Sequence, residues 1–438
     1  MNPTFLKQQA CLFIAASALL CAAISTAAAE EKTFTLQELL SMARENNGEL
    51  KALRAELGIG EAGRMKAGLY TNPVLELEGE TGALTGSSSE DRISIGLSQE
   101  FLTGGKRKKR MAVTDAELGT LEKRLQDAQR LVMLDVKTAY YDLLLAKDRL
   151  ALANTYHELN SQLLGITRER FAAGDVPELD VNLAKVETAR SEGRRSAADR
   201  EVAATRLQLS VRTGLPVSQS PEVTGSLTSL PYGTNFETDL SSMKSAALNR
   251  ADLKALETER EKGEAEVVLA KADRLPNITA GISFTRERTS TSIGNLEDRD
   301  TDNLIGLKLS VPLPVFDRNQ AGIHEAGARK SSAESRYQSL RRRIEQEVES
   351  AHGQFINAEM LVKIYGQEII PQMNENLKVV QEAYRLGELG ILPVIEEQKK
   401  FAEVNEDYLS ALHNRNTALA RLEAATGTEF KEADGGDK

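Results

Sequence analysis

The stretch Ile278-Thr-Ala-Gly-Ile-Ser-Phe-Thr285 alternates apolar side chains with small or polar ones. Successive side chains of a strand lie on opposite faces, so this pattern predicts a β-strand with one apolar face. Three more stretches alternate in the same way, which gives four predicted strands at about 72–81, 91–102, 276–286 and 303–313. The loops that join them in pairs, 81–91 and 286–302, are rich in Ser, Thr, Gly and charge.

Each predicted strand pair is followed by a very long helical pattern. From 105 to 173 there is no proline, and apolar residues recur at steps of three and four. A helix of that extent would be roughly 100 Å long at about 1.5 Å per residue. The same pattern predicts long helices at about 105–173, 178–213, 317–386 and 391–426. Pro371 lacks an amide hydrogen, so it is expected to kink the third of them.

The chain repeats this order of elements once. Phe171-Ala-Ala-Gly174-Asp-Val-Pro-Glu-Leu179 matches Tyr384-Arg-Leu-Gly387-Glu-Leu-Gly-Ile-Leu392, and Arg212-Thr-Gly214 matches Ala425-Thr-Gly427 at the same offset. The pattern predicts two repeats, 30–213 and 240–427. Between them, 214–239 is rich in Pro, Gly, Ser and Thr and is interpreted as a connecting segment, and 428–438 as a flexible tail.

The N-terminus has the composition of a secretory signal peptide. Lys7 precedes an apolar run, and Ala27-Ala-Ala29 supplies the small residues that a signal peptidase requires, so residues 1–29 are predicted to be removed. Both cysteines, Cys11 and Cys21, lie in this segment. Its removal would exclude disulfides, thiolate metal sites and cysteine nucleophiles. The alternative is a lipid on Cys21, for which Leu19-Leu20 is a poor preceding sequence.

Composition narrows the function further. The formal net charge of −10 argues against nucleic acid as a partner, and no later stretch approaches the twenty apolar residues of a transmembrane helix. The four histidines are far apart, and no phosphate loop or nucleophile motif occurs. The sequence therefore predicts no catalysis, no cofactor and no resident metal.

The strand pattern has two interpretations. It fits a membrane barrel with apolar side chains toward lipid, and it fits half-buried strands of a soluble sheet equally well. The long helices favour the barrel. Four strands cannot close, two chains would give a barrel filled by side chains, and three would give twelve strands around a lumen. The predicted fold class is mainly α, with long helices forming an α-barrel and four strands per chain contributing to a trimeric twelve-stranded β-barrel.

The order of elements resembles the outer membrane factor family typified by TolC. Thr71-Asn72-Pro73, Gly104-Gly105-Lys106-Arg107 and Val311-Pro-Leu-Pro-Val-Phe-Asp-Arg-Asn-Gln320 are similar to its cobalt-zinc-cadmium resistance branch. The resemblance implies a homotrimer in the outer membrane of a Gram-negative bacterium, with a long periplasmic part. It also implies an adaptor protein in the periplasm, a resistance-nodulation-division pump in the inner membrane, and export of heavy-metal cations.

Two alternatives remain open from the sequence. The duct could serve drug efflux or type I protein secretion, which one subunit's sequence separates poorly from metal export. In another class of function, a periplasmic coiled-coil adaptor would share the long helices and the signal peptide. An adaptor would carry one helical hairpin and a compact β-domain, whereas this chain has two strand pairs spaced as repeats.

The two helix-to-helix turns are candidate docking sites. Glycine permits the backbone of a tight turn, and apolar residues flank both glycines where solvent would favour polar ones. The family docks its adaptor at such turns, so the resemblance implies an adaptor contact; bracing of the turn is the alternative. The predicted tip residues are Phe171, Gly174, Val176, Leu179, Tyr384, Gly387, Leu389 and Leu392.

Three charged groups complete the candidate sites. The resemblance places a periplasmic gate near Glu396 and Glu397, although a solvated helix face would look the same. Barrel carboxylates facing the lumen would bias it toward cations; these are Glu76, Glu78 and Glu80. A basic run at a helix start is expected to meet anionic lipid headgroups, with plain solubility as the alternative; it consists of Lys106, Arg107, Lys108, Lys109 and Arg110.

Overall fold

The computed structural model describes residues 33–86, 89–216, 221–229, 239–294 and 296–430. The predicted signal peptide, with Cys11 and Cys21, lies outside the described residues, as do 431–438 of the tail and 217–220 and 230–238 of the connecting segment. Two compact units divide the chain. The tip unit consists of Met1–Asn46, Asp135–Leu230 and Met360–Thr417, and the strand unit consists of Asn47–Leu134, Pro231–Glu359 and Ala418–Lys438.

The same order of elements occurs twice along the chain. In the first half it comprises β1 (Thr33–Phe34), α1 (Leu36–Asn46), α2 (Gly48–Gly68), β2 (Val74–Thr81), β3 (Asp91–Phe101), α3 (Lys106–Ala173) and α4 (Glu178–Thr213). In the second it comprises β4 (Glu222–Val223), α5 (Leu240–Ala247), α6 (Ala251–Ala272), β5 (Ile278–Ile293), β6 (Leu296–Ser310), α7 (Gln320–Ile364), a π-helical turn (Tyr365–Ile369), α8 (Ile370–Arg385) and α9 (Ile391–Thr426).

The strand unit contains an antiparallel sheet with the strand order β2-β3-β5-β6. Its register aligns apolar residues across all four strands, as in the row Leu77, Ile95, Phe284 and Ile305. These side chains share one face and are exposed, up to 85% for Leu307. The opposite face carries small and polar residues apart from Val74 and Leu304, because the side chains of a strand alternate between its faces. The sheet therefore presents an uncovered apolar face.

The second hairpin is longer than predicted. β5 extends to Ile293 and β6 begins at Leu296, so the exposed loop predicted at 286–302 is wrong. This part of the hairpin has no apolar alternation, which is the signal that predicts a half-buried strand. Its strands are joined by ladder pairs such as Thr289 with Asp300, and its Thr and Ser residues suit a solvated ribbon.

The helices of the strand unit follow the order of the strands. On α2, a Cβ added at Gly60 would lie 2.9 Å from Leu121 Cδ1 of α3. Helix α3 meets α6 where Thr120 Oγ1 and Thr258 Oγ1 are 3.0 Å apart. Between α6 and α7, a Cβ at Gly263 would be 3.0 Å from Lys330 Cα. The order α2-α3-α6-α7 thus matches that of β2, β3, β5 and β6.

A buried apolar cluster joins α5, α6, α7 and α9 in the strand unit. Phe430 packs against this cluster, and its backbone N–H donates to Glu423 Oε1 at 3.0 Å. The third residue of the tail that was predicted to be flexible from 428 is therefore packed. The buried members are Met243, Ala247, Leu253, Ile344, Val348, Ala351, Phe355, Ala418, Leu419, Leu422 and Ala425.

In the tip unit, part of the predicted connecting segment is fastened to the helices. β4 pairs in parallel with β1, and Tyr140 Oη donates to the carbonyl of Thr224 at 2.7 Å. The Glu222 carboxylate accepts from Lys147 Nζ at 2.8 Å and also contacts Arg206. Burial raises the pKa of the Tyr140 phenol above its ordinary value, so this hydroxyl remains a donor.

The helix predicted as one element at 317–386 contains a π-helical turn, Tyr365–Ile369, just before Pro371. Pro371 is the second residue of α8, directly after the π-helical turn, and has no N–H to donate to the preceding turn. A π turn contains one extra residue and lets the helix continue past the missing hydrogen bond. The interruption predicted from Pro371 therefore takes the form of a widened turn.

Arg250 joins three parts of the strand unit through hydrogen bonds of its buried guanidinium. Its side chain is 4% exposed and donates to Asp252 at 2.6 Å, to Glu347 at 2.8 Å and to the carbonyl of Ala425 at 3.1 Å. Burial opposes the charge, but the hydrogen bonds to the two carboxylates and the attraction of their charges together outweigh burial and raise the pKa of Arg250.

We expect Arg250→Met to destabilise the protein by about 3 kcal/mol, because it leaves two carboxylates and a carbonyl without their cation. The midpoint of thermal unfolding in detergent, followed by circular dichroism, measures the change. Arg329→Met is the matched control, since the Arg329–Glu325 pair is 63% exposed at both side chains and should leave the midpoint unchanged. Equal midpoints for the two variants would contradict the prediction.

Candidate functional site

The two helix-to-helix turns of the tip unit have the same backbone geometry. Gly174 has φ 85° and Gly387 has φ 83°, in the left-handed region that favours glycine. The N–H of Asp175 donates to the carbonyl of Arg170, and that of Glu388 to the carbonyl of Ala383, each at 2.9 Å. These bonds satisfy carbonyls at the ends of α3 and α8. Glycine is thus required at both turns.

A network of Thr167, Arg170 and Tyr384 holds the two turns side by side. Tyr384 Oη and Thr167 Oγ1 are 2.8 Å apart, and Arg170 Nη1 donates to the Tyr384 carbonyl at 2.9 Å. The Arg170 guanidinium also lies 4.8 Å from the Tyr384 ring centroid. A buried cluster surrounds the ring; its members are Leu163, Ala184, Tyr384, Ile391, Val394 and Ile395.

The structure separates the predicted tip residues into exposed and covered ones. Tyr384 is 1% exposed, so its predicted contact with an adaptor is wrong, because the ring fills the core between the turns. Phe171 is 45%, Leu179 64% and Leu392 57% exposed, whereas Val176 and Leu389 are half-buried. Leu386 is 64% exposed and was not predicted. The signal that could have found it is an apolar residue directly beside Gly387.

Charged groups near the second turn are partly used within the chain. Arg385 donates to both oxygens of Glu382, at 3.1 and 2.7 Å, and this hydrogen bonding lowers the pKa of the Glu382 carboxyl. Of the predicted gate residues, Glu396 is exposed. The Glu397 side chain is only 14% exposed and lies 3.7 Å from Lys400 Nζ. Glu396 is therefore the more accessible of the two carboxylates.

Of the basic run predicted to bind lipid headgroups, Lys106 is covered within the chain. This side chain is 10% exposed, and its ammonium donates to the Leu275 carbonyl at 2.6 Å and to Asn277 Oδ1 at 2.8 Å. It stabilises the start of β5, so it is not available to a lipid headgroup. Arg107 bonds the Gly68 carbonyl at 2.6 Å. The rest of the run, Lys108, Lys109 and Arg110, is exposed or half-buried.

The three predicted lumen carboxylates share the polar face of the sheet and are all exposed. Glu76 accepts from Ser98 Oγ at 2.9 Å and lies 3.5 Å from Lys308 Nζ. Glu80 pairs with Arg92 at 3.1 Å. The sequence did not predict these basic partners, because Arg92 lies on the neighbouring strand β3 and Lys308 on β6 at the other edge of the sheet. The face is less acidic than the three glutamates alone suggest.

Within the part of the chain that the structure describes, no three His, Cys, Asp or Glu side chains are placed to hold a metal ion. Across the same residues, no helix combines the length and the apolar character that crossing a bilayer requires.

Long helices that end in paired glycine turns, together with a sheet whose apolar face is open, are the parts of an outer-membrane efflux channel. The chain belongs to the outer membrane efflux protein family, whose model matches it twice, over residues 39–215 and 243–428. The family predicted from the sequence is confirmed, and so is the outer-membrane location. The family and the structural neighbours are channel proteins, not enzymes.

Known proteins resemble most of the chain. The cobalt-zinc-cadmium resistance protein CzcC of Cupriavidus metallidurans is 23% identical over 398 residues, which cover 90% of each chain. The nickel-cobalt-cadmium resistance protein NccC of Alcaligenes xylosoxydans xylosoxydans is 25% identical over 78% of this chain and 74% of its own. The crystal structure of CusC superposes with a TM-score of 0.73 at 17% identity, covering 90% of this chain and 92% of CusC.

The hydroxyl pair of Tyr384 and Thr167 links the two turns and can be removed by one substitution. Tyr384→Phe removes one buried hydroxyl and its bond to Thr167, a loss of about 1 kcal/mol. We expect the amides of residues 384–395 to exchange hydrogen about fivefold faster, measured by mass spectrometry. Phe171→Leu, at the matching but exposed position, should leave these rates unchanged. Unchanged exchange in Tyr384→Phe would show that the hydroxyl pair does not hold the turns together.

Proposed function

We propose that three copies of this chain form an outer-membrane exit duct that exports heavy-metal cations delivered by an adaptor and a resistance-nodulation-division pump. The observation that carries the proposal is a four-stranded sheet with an exposed apolar face and two edge strands. In lipid, an unpaired backbone N–H or C=O costs several kcal/mol. A sheet that faces lipid must therefore pair its edges with other copies.

The strand directions allow this pairing. β2 and β6 lie at opposite edges, and three antiparallel steps separate them, so they run in opposite directions. β6 of one copy can therefore pair antiparallel with β2 of the next, and repetition of this contact closes a ring. Two copies would give eight strands around a filled interior, whereas three give twelve strands around a lumen.

An exposed seam on helix α2, at one end of the helix order, supports contact with the same neighbouring copy. The helix lies beneath the edge strand β2 to which it connects. Its surface away from α3 carries exposed residues spaced three and four apart, the spacing of a coiled-coil seam. Ile59 is 73% exposed, and Leu69 just beyond the helix is 61% exposed. The seam consists of Ala52, Ala55, Ile59, Ala62 and Leu69.

Two observations support metal cations as the exported class. Glu76, Glu78 and Glu80 share the polar face that would line the lumen, where carboxylates favour cations. The names of CzcC and NccC refer to resistance to cobalt, zinc, nickel and cadmium. Glu396, exposed near the second turn, is a further carboxylate that would face its counterparts around a three-fold axis at a closed gate.

The tips are the proposed adaptor contact. Phe171, Leu179, Leu386 and Leu392 are apolar residues exposed beside the two turns. Exposed apolar residues clustered at one place indicate a protein interface. The buried network of Thr167, Arg170 and Tyr384 fixes the backbone beneath them, so the contact surface is held in shape before a partner binds.

The ring predicts specific cross-links. In a background with Cys11 and Cys21 replaced by Ala, Leu77→Cys on β2 is combined in turn with Ile305→Cys, Leu307→Cys or Leu309→Cys on β6. At least one combination should give a covalent species of three chains on denaturing gels of oxidised outer membranes. Each single variant is the control, because it lacks the partner cysteine at the junction. Only monomers in every combination would contradict the ring.

The adaptor contact and the substrate are tested together in cells. The chain should restore tolerance to zinc, cobalt or cadmium in cells that lack their own duct but express the pump and adaptor. Leu179→Glu should abolish this tolerance while the three-chain species remains, because a charge at the tip disrupts an apolar contact. Val211→Glu, on the same helix at a residue 68% exposed, is the control. Restored tolerance to drugs but not metals would favour the drug-efflux alternative.

A further inference from the structure

The junction between β6 and α7 has an unusual surface. Residues 311–316, here called the proline segment, have the sequence Val-Pro-Leu-Pro-Val-Phe. Val311 is 39%, Leu313 79%, Val315 59% and Phe316 93% exposed. Four consecutive non-proline side chains of a junction are thus large, apolar and open, which costs free energy in water.

In the matching junction of the first repeat, 102–105, the two residues with side chains beyond hydrogen, Leu102 and Thr103, are half-buried, and the two glycines are exposed. Thr103 Oγ1 donates to the Pro276 carbonyl at 2.5 Å, and a Cβ at Gly104 would lie 2.9 Å from Leu275 Cδ1. This junction follows β3, in the middle of the sheet, whereas the proline segment follows β6 at its edge. The exposure of the proline segment therefore results from its own sequence and from its position after an edge strand.

The backbone of the proline segment is suited to an environment without water. Pro312 and Pro314 have no N–H, and the N–H of Val315 donates to the Leu313 carbonyl at 2.8 Å. The Phe316 carbonyl accepts from Gln320 Nε2 at 3.2 Å. Few donors are left to desolvate, which lowers the cost of contact with hydrocarbon.

In the proposed ring the next copy adjoins β6, but the proline segment offers that copy no strand edge. A strand edge recruits a neighbouring chain through its ladder of N–H and C=O groups, and the prolines interrupt that ladder directly after Ser310. Val311 continues the alternation of Leu307 and Leu309 on the apolar face. Polar Asp317 and Arg318 follow at once, both exposed, so the apolar surface ends where charged headgroups would begin.

The segment is fixed at both ends. Ser310 pairs with Thr279 in the sheet, and beyond the segment Asn319 Nδ2 donates to the Ala270 carbonyl of α6 at 2.9 Å. Asn319 has φ 54°, a left-handed conformation that Asn tolerates better than most residues. The apolar side chains are thus presented on a defined backbone.

We infer that the proline segment is a membrane anchor that inserts Leu313, Val315 and Phe316 into the periplasmic leaflet of the outer membrane, with Arg318 at its headgroups. Tyr70 flanks the same end of the sheet, is 74% exposed, and lies 4.4 Å from the Arg107 guanidinium. An aromatic ring beside a cation is the pairing found at membrane interfaces. The inference rests on the proposed function, in which the apolar face of the sheet contacts lipid.

Depth-dependent fluorescence quenching tests the anchor in the full chain reconstituted in lipid nanodiscs. Single cysteines, in the Cys11 and Cys21 to Ala background, carry a bimane label at Phe316→Cys, Leu307→Cys or Asp298→Cys. A nitroxide near the headgroup end of the acyl chain should quench most of the label at 316. A deeper nitroxide should quench 307 more strongly. Neither should affect 298, which lies on the exposed far part of the hairpin.

The control positions separate the two possible failures. Quenching at 307 without quenching at 316 would overturn the anchor and leave the duct intact. A disulfide between unlabelled Phe316→Cys of one copy and Leu69→Cys of the next, with 316 protected from nitroxide lipid, would assign the segment to a neighbouring copy and overturn the anchor as well. The absence of quenching at both 307 and 316 would overturn the lipid-facing sheet and with it the proposed function.

Discussion

The unpaired edges of the four-stranded sheet are the constraint on which the other features depend. β2 and β6 each have a neighbour on one side only, and the apolar face between them is open. Because the helix order α2-α3-α6-α7 follows the strand order, the sheet and the helices that adjoin it are open on the same two sides. One lateral contact between copies would therefore complete the backbone pairing of the sheet and the side-chain packing of the helices together.

Equivalent positions of the two repeats differ in side-chain exposure and in hairpin length. Phe171 and Tyr384 occupy equivalent places beside their glycines, yet Phe171 is 45% exposed and Tyr384 is 1% exposed. The phenol oxygen that distinguishes them bonds Thr167. In the sheet, the β5–β6 hairpin is longer than the β2–β3 hairpin. A duplicated order of elements gives similar backbones, and the exposure of each side chain then depends on which neighbours its copy meets.

The periodic features of the fold could be predicted, because alternation and heptad-like spacing are local properties of the sequence. Strand β2, the ends of α3 and α4, and the two glycine turns fall close to their predicted positions. Contacts between distant residues could not be predicted. Nothing near Lys106 in sequence shows that its ammonium binds the Leu275 carbonyl, and nothing near Arg170 shows that it bonds Tyr384. The solvated part of the β5–β6 hairpin lacked the apolar alternation on which the strand prediction rested.

The π-helical turn at Tyr365–Ile369 determines how α8, the part of the helix that follows it, is rotated about the helix axis. One additional residue in a helix turns everything that follows by about 100° around the axis. The side chains of α8, Tyr384 among them, therefore meet α3 and α9 at an angle that an unbroken helix would not give. Loss of a single residue there would leave the helix regular but out of phase with its neighbours. This widened turn thus sets the angular position of the α8 side chains relative to α3 and α9.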